Sequence, residues 1–423
     1  MNTSIKERIT KTTFNSRSLI LLSLFLVPGL LLWTPNFSVA VTLVLVIYSI
    51  TFIVSKRKSI KLNRIDYIVL LCFSAYFLSN VHNLIRDFGN FRYIDAPSKI
   101  LICFAIYLLL KDKIPNLQVR KPLELGIFIG SIGTISISLF QLIILNFDRV
   151  DGFLFSINFG YLSCSMAFMS LCMLRGSKNK TLLWISFFLL TLSTLMTLTR
   201  GAILAIPIIL GVILILNINR ANLKHVIFGV FAFLSLSLLA YHSSEKIQKR
   251  TAYTIHEIHA LSSGDISSAV SSGGRLQLWY ASLVALQKSP ILGLPHEERE
   301  KLLTQLHEDG VLTEWVVGVS RGHAHSQYFE MIASTGSLSL LAILAMLVVP
   351  SIIFFKRRDN VFGYTGFIFI IGISIFGLTE VLLQANLISV YFGFFLAFFL
   401  AASIYGTADK PNVNRNLENN CRY

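Results

Sequence analysis

The chain has 423 residues, of which 54% are hydrophobic and only 14% are charged, and its mean hydropathy is +0.67. Soluble globular domains carry about 25% charged residues, so this composition excludes a protein built of ordinary soluble domains. A formal net charge of +15 would suggest a nucleic-acid partner if it came from a soluble domain, so the positions of the basic residues have to be examined.

Long apolar runs predict helices that cross a membrane. A helix needs about 20 mostly apolar residues to span the ~30 Å hydrocarbon layer. The runs lie roughly at 18–33, 36–54, 65–82, 98–110, 123–145, 153–174, 181–199, 201–217, 225–241, 336–355, 361–379 and 386–405. We therefore predict an all-α polytopic membrane protein with about twelve transmembrane helices.

The basic residues fall mainly on one side of this predicted topology. If alternate loops lie on opposite sides, the side with both termini holds 24 of the 37 basic residues and 7 of the 22 acidic ones. Loops rich in Lys and Arg are typically cytoplasmic, so both termini are expected in the cytoplasm. The charge is then a topology signal, which argues against nucleic acid as a partner.

One loop on the opposite side is long enough to be a domain. The predicted organisation is nine spans in 1–241, a mainly helical loop domain in 242–335, three spans in 336–405 and a cytoplasmic tail in 406–423. The loop pattern predicts a helix from Lys246 to His259, irregular chain to Gly274, an amphipathic helix from Arg275 to Lys288 and a polar helix from Arg299 to Glu308. No cysteine falls in this loop, so no disulfide is expected there.

Polar residues that could carry chemistry all fall on the side of this loop. They are Arg86, Arg92, Arg200, Arg275, Arg321, His323, His325, Glu330 and Glu380. Arg200 lies at a turn between two spans, where it either extends to the interface or binds an anion such as a lipid phosphate. Arg275 is expected in the first turn of its helix, where a cation opposes the macrodipole, so we expect a role other than helix stability.

The pair His323 and His325 could serve as a base, as metal ligands or as interfacial polar groups. Two residues apart on a helix they would point about 200° away from each other, and no metal-ligand motif accompanies them. An imidazole that titrates near neutral pH suits the removal of a proton from a sugar hydroxyl, which favours a base. Glu330 either orients His325 or faces water.

The chain lacks the sequence patterns of other reaction classes. It has no Gly-x-Ser-x-Gly pattern and no cysteine in the outer loops, which argues against a covalent acyl intermediate. It also lacks a P-loop, so ATP is not an evident energy source. A reaction outside the cytoplasmic membrane must then use a donor that is activated beforehand, and a lipid-linked sugar diphosphate is one such donor. No cofactor or metal is expected.

Four short motifs resemble those of the O-antigen ligases. They are Thr199-Arg200 at the outer end of a span, Gly273-Gly274-Arg275-Leu276 with Trp279, Lys288-Ser289-Pro290-Ile291-Leu292-Gly293, and His323-Ala324-His325-Ser326 before the tenth span. These enzymes belong to the wider superfamily of O-antigen ligases and polymerases, and the overall plan resembles the GT-C glycosyltransferases. Relatives commonly have Asn after the second histidine, where this chain has Ser326.

The resemblance implies transfer of a polysaccharide from undecaprenyl diphosphate to the lipid A-core, with inversion and without metal, at the periplasmic face of the bacterial inner membrane. It implies that His325 is the catalytic base and that Arg200 and Arg275 hold the diphosphate. We expect substrate contacts from Arg321, His323, Arg92, Arg86 and Glu330, and membrane lipids as further partners.

Two alternatives stay open from the sequence. An O-antigen polymerase would use the same donor with a second lipid-linked repeat as acceptor, and the single large loop late in the chain favours the ligase. A flippase or transporter would need charged groups in mid-span, where few are found.

Overall fold

The computed structural model describes residues 16–58, 60–87, 90–217, 223–318 and 323–406. Over those ranges the chain is helical apart from short connections, and none of them contains a β-strand. The helices before the long loop are α1 (Ser16–Leu30), α2 (Phe37–Lys56), α3 (Arg64–Arg86), α4 (Arg92–Ile102), α5 (Phe104–Lys113), α6 (Arg120–Leu139), α7 (Ser156–Met173), α8 (Lys180–Met196), α9 (Arg200–Asn217) and α10 (Leu223–Ser243).

The loop and the last part of the chain are helical as well. The loop contains α11 (Glu245–Ser262), α12 (Val270–Lys288), α13 (His296–Glu308), α14 (Glu314–Gly318) and α15 (Gln327–Thr335). The chain then continues through α16 (Leu338–Ile343), α17 (Val349–Lys356), α18 (Val361–Phe376) and α19 (Asn386–Tyr405). We call the end of the bundle that carries α11 to α15 the loop face.

The helices account for every predicted span. Among the described residues, eight helical segments are long and apolar enough to cross a membrane, and α1, α8 and α18 are shorter apolar helices. The remaining predicted span is covered by α10, a helix of 21 residues. One of the eight runs from Arg92 to Asn116 as α4, α5 and a final turn, and another joins α16 to α17 through a π-helical turn. The prediction of a polytopic helical membrane protein is confirmed.

Two helices form the centre of the bundle. In α7 and α19, 83% and 94% of the most apolar stretch is buried, and both are apolar on nearly every face, as expected of a helix surrounded by other helices. They are joined by a hydrogen bond from the Tyr391 hydroxyl to Ser165 Oγ at 2.8 Å. Both helices have their ends near the loop face, where α7 begins at Ser156 and α19 at Asn386.

The segment between the predicted spans 65–82 and 98–110 is mostly helical. Helix α3 continues to Arg86 and α4 begins at Arg92, so only a short connection lies between them. The end of α3 supports the loop segment, because Arg86 donates to the carbonyl of Gly293 at 2.9 Å and Asn83 donates to that of Ser334 at 2.7 Å.

Helix α12 begins earlier than its sequence pattern predicts. The predicted start was Arg275, but the helix starts at Val270, so Gly273 and Gly274 lie inside it. A Cβ on Gly274 would collide with the ring of Trp315, which packs directly on this surface. The glycine pair therefore provides a packing surface instead of a helix start. Arg275 lies in the second turn, so the argument from an unfavourable macrodipole was wrong.

Candidate functional site

Four arginines from separate parts of the chain lie close together at the loop face. This arginine cluster consists of Arg149 between α6 and α7, Arg200 at the start of α9, Arg250 in α11 and Arg275 in α12. Burial, followed by the positive charges of Arg250 and Arg200, lowers the pKa of Arg149. Burial and then Arg200 lower the pKa of Arg250, with a smaller effect of Arg275. Arginine stays protonated in proteins, so the cluster repels itself and attracts an anion.

Arg200 is held in place by the loop helices. Its guanidinium forms an ion pair with Glu257 in α11, donates to Ser271 Oγ in α12 at 3.0 Å and lies 5.7 Å from the ring centre of Tyr253. Burial favours the neutral form of Glu257, but the bonds from Arg200, Ser271 and Ser272 outweigh it and lower the pKa to about 2. Glu257 thus neutralises one of the four charges and fixes the direction of Arg200.

The Thr199-Arg200 motif positions a second arginine as well. Arg149 donates to the carbonyl of Thr197 at 3.0 Å and to Thr199 Oγ1 at 3.2 Å, and Thr199 Oγ1 in turn donates to the carbonyl of Ser156 at 3.0 Å. Leu198, which lies between Thr197 and Thr199, has a φ of +51°. This left-handed conformation costs about 1–2 kcal/mol for a residue with a side chain. Such strain is often found at functional sites.

Arg275 has a different environment from Arg200. Its guanidinium forms no hydrogen bond or ion pair with the part of the chain that the structure describes, so its donors are available to a ligand. Trp279, one turn further along the same face of α12, donates to the carbonyl of Ala324 at 3.1 Å and stacks on Phe329. The face that carries Arg275 therefore meets the turn that holds the two histidines.

That turn pairs His325 with a carboxylate. His325 Nδ1 lies 3.4 Å from Glu380 Oε2, and its side chain is only 15% exposed. Burial raises the pKa of Glu380, but His325 and the Val381 amide outweigh this effect, so the pKa is lowered overall. When Nδ1 carries the proton that faces Glu380, Nε2 is free to accept another. His325 has a φ of +46°, so it is a second strained residue of the site.

The arginines and His325 belong to one site. A Cβ on Gly201, next to Arg200, would collide with the Tyr161 hydroxyl and with Thr379 Oγ1, which are hydrogen-bonded to each other. Thr379 directly precedes Glu380, the partner of His325. Tyr161 also lies within electrostatic range of both Arg275 and Glu380. A short chain of contacts therefore joins the arginine cluster to the pair of His325 and Glu380.

Glu330 holds the backbone between the two histidines. It is buried, accepts a hydrogen bond from the Ala324 amide at 3.0 Å and forms an ion pair with Arg299 at 2.9 Å. Burial raises its pKa, but Arg299 and then the Ala324 amide lower it overall. Of the two predicted roles, facing water is wrong, and Glu330 orients the turn through its backbone whereas Glu380 contacts the imidazole of His325.

The histidine turn also brings together three groups that could bind a metal ion. The rings of His323 and His325 are 4.4 Å apart between centroids, and their nitrogens and a Glu380 oxygen lie within 4.8 Å of one another. The expectation that the two side chains diverge assumed a helical backbone, and this turn is not helical. Geometry alone thus allows either a base or a ligand set, and the roles of these residues stay predictions.

The other predicted substrate residues have different environments. The guanidinium of Arg86 donates to the carbonyls of Leu292 and Gly293. Arg92 is exposed at the edge of a polar cleft, and Arg321 lies outside the described residues. Their roles in substrate binding stay predictions.

Sequence reasoning missed Arg149, Arg250 and Glu257. Arg149 follows an aspartate in a short loop, and the other two lie in a helix of ordinary polar composition. The one available signal was the spacing of seven that places Arg250 and Glu257 on the same face of α11.

Comparisons with known proteins agree with the motifs. Residues 185–344 match the family model described as O-antigen ligase. The chain is also similar to an uncharacterized protein of Haemophilus influenzae, with 23% identity over 365 residues that cover 84% of this chain and 88% of that protein. The matched segment includes Arg200, Glu257, Arg275 and His325. It identifies the chain as a membrane glycosyltransferase of the broad O-antigen ligase and polymerase type. The match over this segment supports an assignment to the O-antigen ligase family.

Proposed function

We propose that the protein is an O-antigen ligase. It transfers a polysaccharide from undecaprenyl diphosphate to a hydroxyl of the lipid A-core, at the periplasmic face of the bacterial inner membrane, with both termini in the cytoplasm. The observation that carries the proposal is the contact of Gly201 with Tyr161 and Thr379, because it joins the arginine cluster to the pair of His325 and Glu380. An anion site beside a base is what transfer from a diphosphate requires.

A groove beside the arginine cluster supports a lipid-linked donor. This apolar groove lies between the π-helical turn that follows α6, the loop-face ends of α8 and α10 and the start of α11. Its wall includes Leu198, which directly precedes Thr199 and Arg200, and Asp148, which directly precedes Arg149. A polyprenyl chain in this groove would place its diphosphate at the arginines.

In the proposed reaction, His325 is the general base and the arginine cluster stabilises the leaving group. His325 Nε2 takes the proton of the acceptor hydroxyl, and Glu380 stabilises the imidazolium that forms. The acceptor oxygen bonds to the anomeric carbon on the face opposite the diphosphate, and the carbon–oxygen bond to the diphosphate breaks, so the configuration inverts. The electron pair goes to the leaving diphosphate, whose charge Arg200, Arg275 and Arg149 stabilise. His325 then loses its proton to water.

The test is transfer by the purified protein in liposomes with a defined lipid-linked donor and lipid A-core. We expect His325→Ala to lower the rate about 10²–10⁴-fold, the usual contribution of a general base. His259→Ala is the matched control, because His259 is exposed on α11 and lies outside the site. Wild-type transfer by purified His325→Ala would refute the assignment of the base.

The acceptor separates this function from that of a polymerase. In cells that lack a ligase, the lipid A-core stays bare and polymer accumulates on its carrier. Cells that lack a polymerase carry a core with a single repeat. The second pattern on a lipopolysaccharide gel would reassign the protein as a polymerase.

A further inference from the structure

A second cavity adjoins the histidine turn. The wall of this polar cleft includes Arg92, Tyr93, His296, Arg299, Glu330 and Gln384. It lies between α3, α4, α13 and α15 at the loop face. Its wall is mostly polar, unlike the apolar groove beside the arginines, so it does not suit a lipid chain.

Two arginines of the cleft have donors without a partner among the described residues. Arg299 bonds to Glu330 through one terminal nitrogen, but its Nε is buried and has no partner among the described residues. The guanidinium of Arg92 is exposed and makes no hydrogen bond or ion pair with the same part of the chain. The acidic side chain on the exposed edge, Asp95, is paired with Lys99 at 2.6 Å. A ligand that fits must therefore supply acceptors, and an anionic one fits best.

The polar cleft and the arginine cluster are connected to His325 through different residues. Glu330 forms part of the cleft wall and accepts a hydrogen bond from the amide of Ala324, the residue before His325. Gln384 in the wall lies four residues after Glu380 and contacts Glu330 at 3.5 Å. The arginines reach the same imidazole through Glu380 instead. His325 is thus connected to the arginine cluster through Glu380 and to the polar cleft through Glu330 and Ala324.

We propose that the polar cleft binds the acceptor sugar and selects an acceptor with an anionic substituent, either phosphate or carboxylate. This inference rests on the proposed function, since it assigns the second substrate of the same site. The donor fills the apolar groove and the arginine cluster, and the acceptor presents its hydroxyl to His325 from the cleft.

Steady-state transfer tests the assignment. We expect Arg92→Ala and Gln384→Ala to raise the KM for lipid A-core at least tenfold, with kcat and the donor KM within threefold of wild type. Both side chains are exposed, so both variants should fold. Lys301→Ala is the matched control, because Lys301 is exposed on α13 and is not part of the cleft wall. An unchanged acceptor KM, or a raised donor KM, would overturn the proposal.

Binding without donor separates this inference from the proposed function. Fluorescently labelled lipid A-core is titrated into wild type and Arg92→Ala, and its Kd should weaken at least tenfold in the variant, whether or not transfer occurs. Equal Kd values would refute the assignment of the acceptor to the cleft. Absence of transfer by the wild-type protein would instead refute its assignment as a ligase. Dephosphorylated core and carboxyl-reduced core identify the anion, since only removal of the recognised group should weaken binding. If neither removal weakens binding, the anionic selection is wrong.

Discussion

Arg200 and Arg275 should respond very differently to the same substitution. Arg275 makes no bond to the described protein, so Arg275→Ala should change the free energy of unfolding by less than about 0.5 kcal/mol. It should still lower the transfer rate about 10²–10³-fold, the cost of losing one preorganised charge donor. Arg200→Ala should lose a similar factor in rate and should also destabilise the protein.

The destabilisation comes from Glu257. Its side chain is 1% exposed, and Arg200→Ala leaves this carboxylate buried without its charged partner. Removal of one member of a buried ion pair costs about 3–5 kcal/mol. The remaining bonds from Ser271 and Ser272 offset part of that cost. The second substitution Glu257→Gln removes the stranded charge, so the double variant should regain stability without regaining activity.

The assay pairs the transfer rate with thermal unfolding in detergent, followed by tryptophan fluorescence. Arg200→Ala should melt below wild type, whereas Arg275→Ala should melt with it and the double variant should lie between. If Arg200→Ala unfolds at the same temperature as wild type, the ion pair between Arg200 and Glu257 does not stabilise the fold. If Arg275→Ala unfolds, its guanidinium has a structural partner, and its assignment to the ligand is refuted.

Three further predictions concern pH, packing and metal. The pKa of Glu257 is about 2 in the folded protein, below the ordinary glutamate value of 4.5, so its stabilisation is complete above pH 4.5 and is lost as the pH falls toward 2. Resistance of the loop segment to pepsin should follow that curve, and Glu257→Gln should flatten it. Gly274→Ala should destabilise by about 1–3 kcal/mol through its clash with Trp315. Gly318→Ala should melt like wild type, because a Cβ there meets no atom of the described residues within 4 Å. EDTA should leave transfer unchanged, and a loss of activity that zinc reverses would instead make His325 a metal ligand.

The spans were predictable because each leaves a long apolar run in the sequence, and the runs correspond to α1 through α10 and α16 through α19. The turns that interrupt some of these helices were not predictable from the sequence. At the turn at Cys103 the two helices pack closely, since a Cβ on Gly393 in α19 would crowd the Cys103 sulfur. Hydropathy does not record which face of a helix a neighbour approaches.

The site was only partly predictable for a similar reason. The motifs predicted Arg200, Arg275 and His325, which all lie at the loop face, and their roles stay predictions. The partners of these residues come from distant positions, with Glu257 57 residues after Arg200 and Glu380 55 residues after His325. A single sequence contains no signal for such distant pairings. The sequence therefore suggested only the nearby Glu330 as the residue that orients His325.

The salt bridge between Arg200 and Glu257 also limits how the chain can be divided. One partner belongs to a membrane helix and the other to the loop, and Asn83 and Arg86 bind the loop's far end in the same way. An excised fragment of residues 245–335, produced as a water-soluble antigen or a crystallisation target, would leave the Glu257 carboxylate without its charged partner and the carbonyls of Gly293 and Ser334 without their side-chain donors. Fragment-based work on this enzyme should therefore retain the whole bundle.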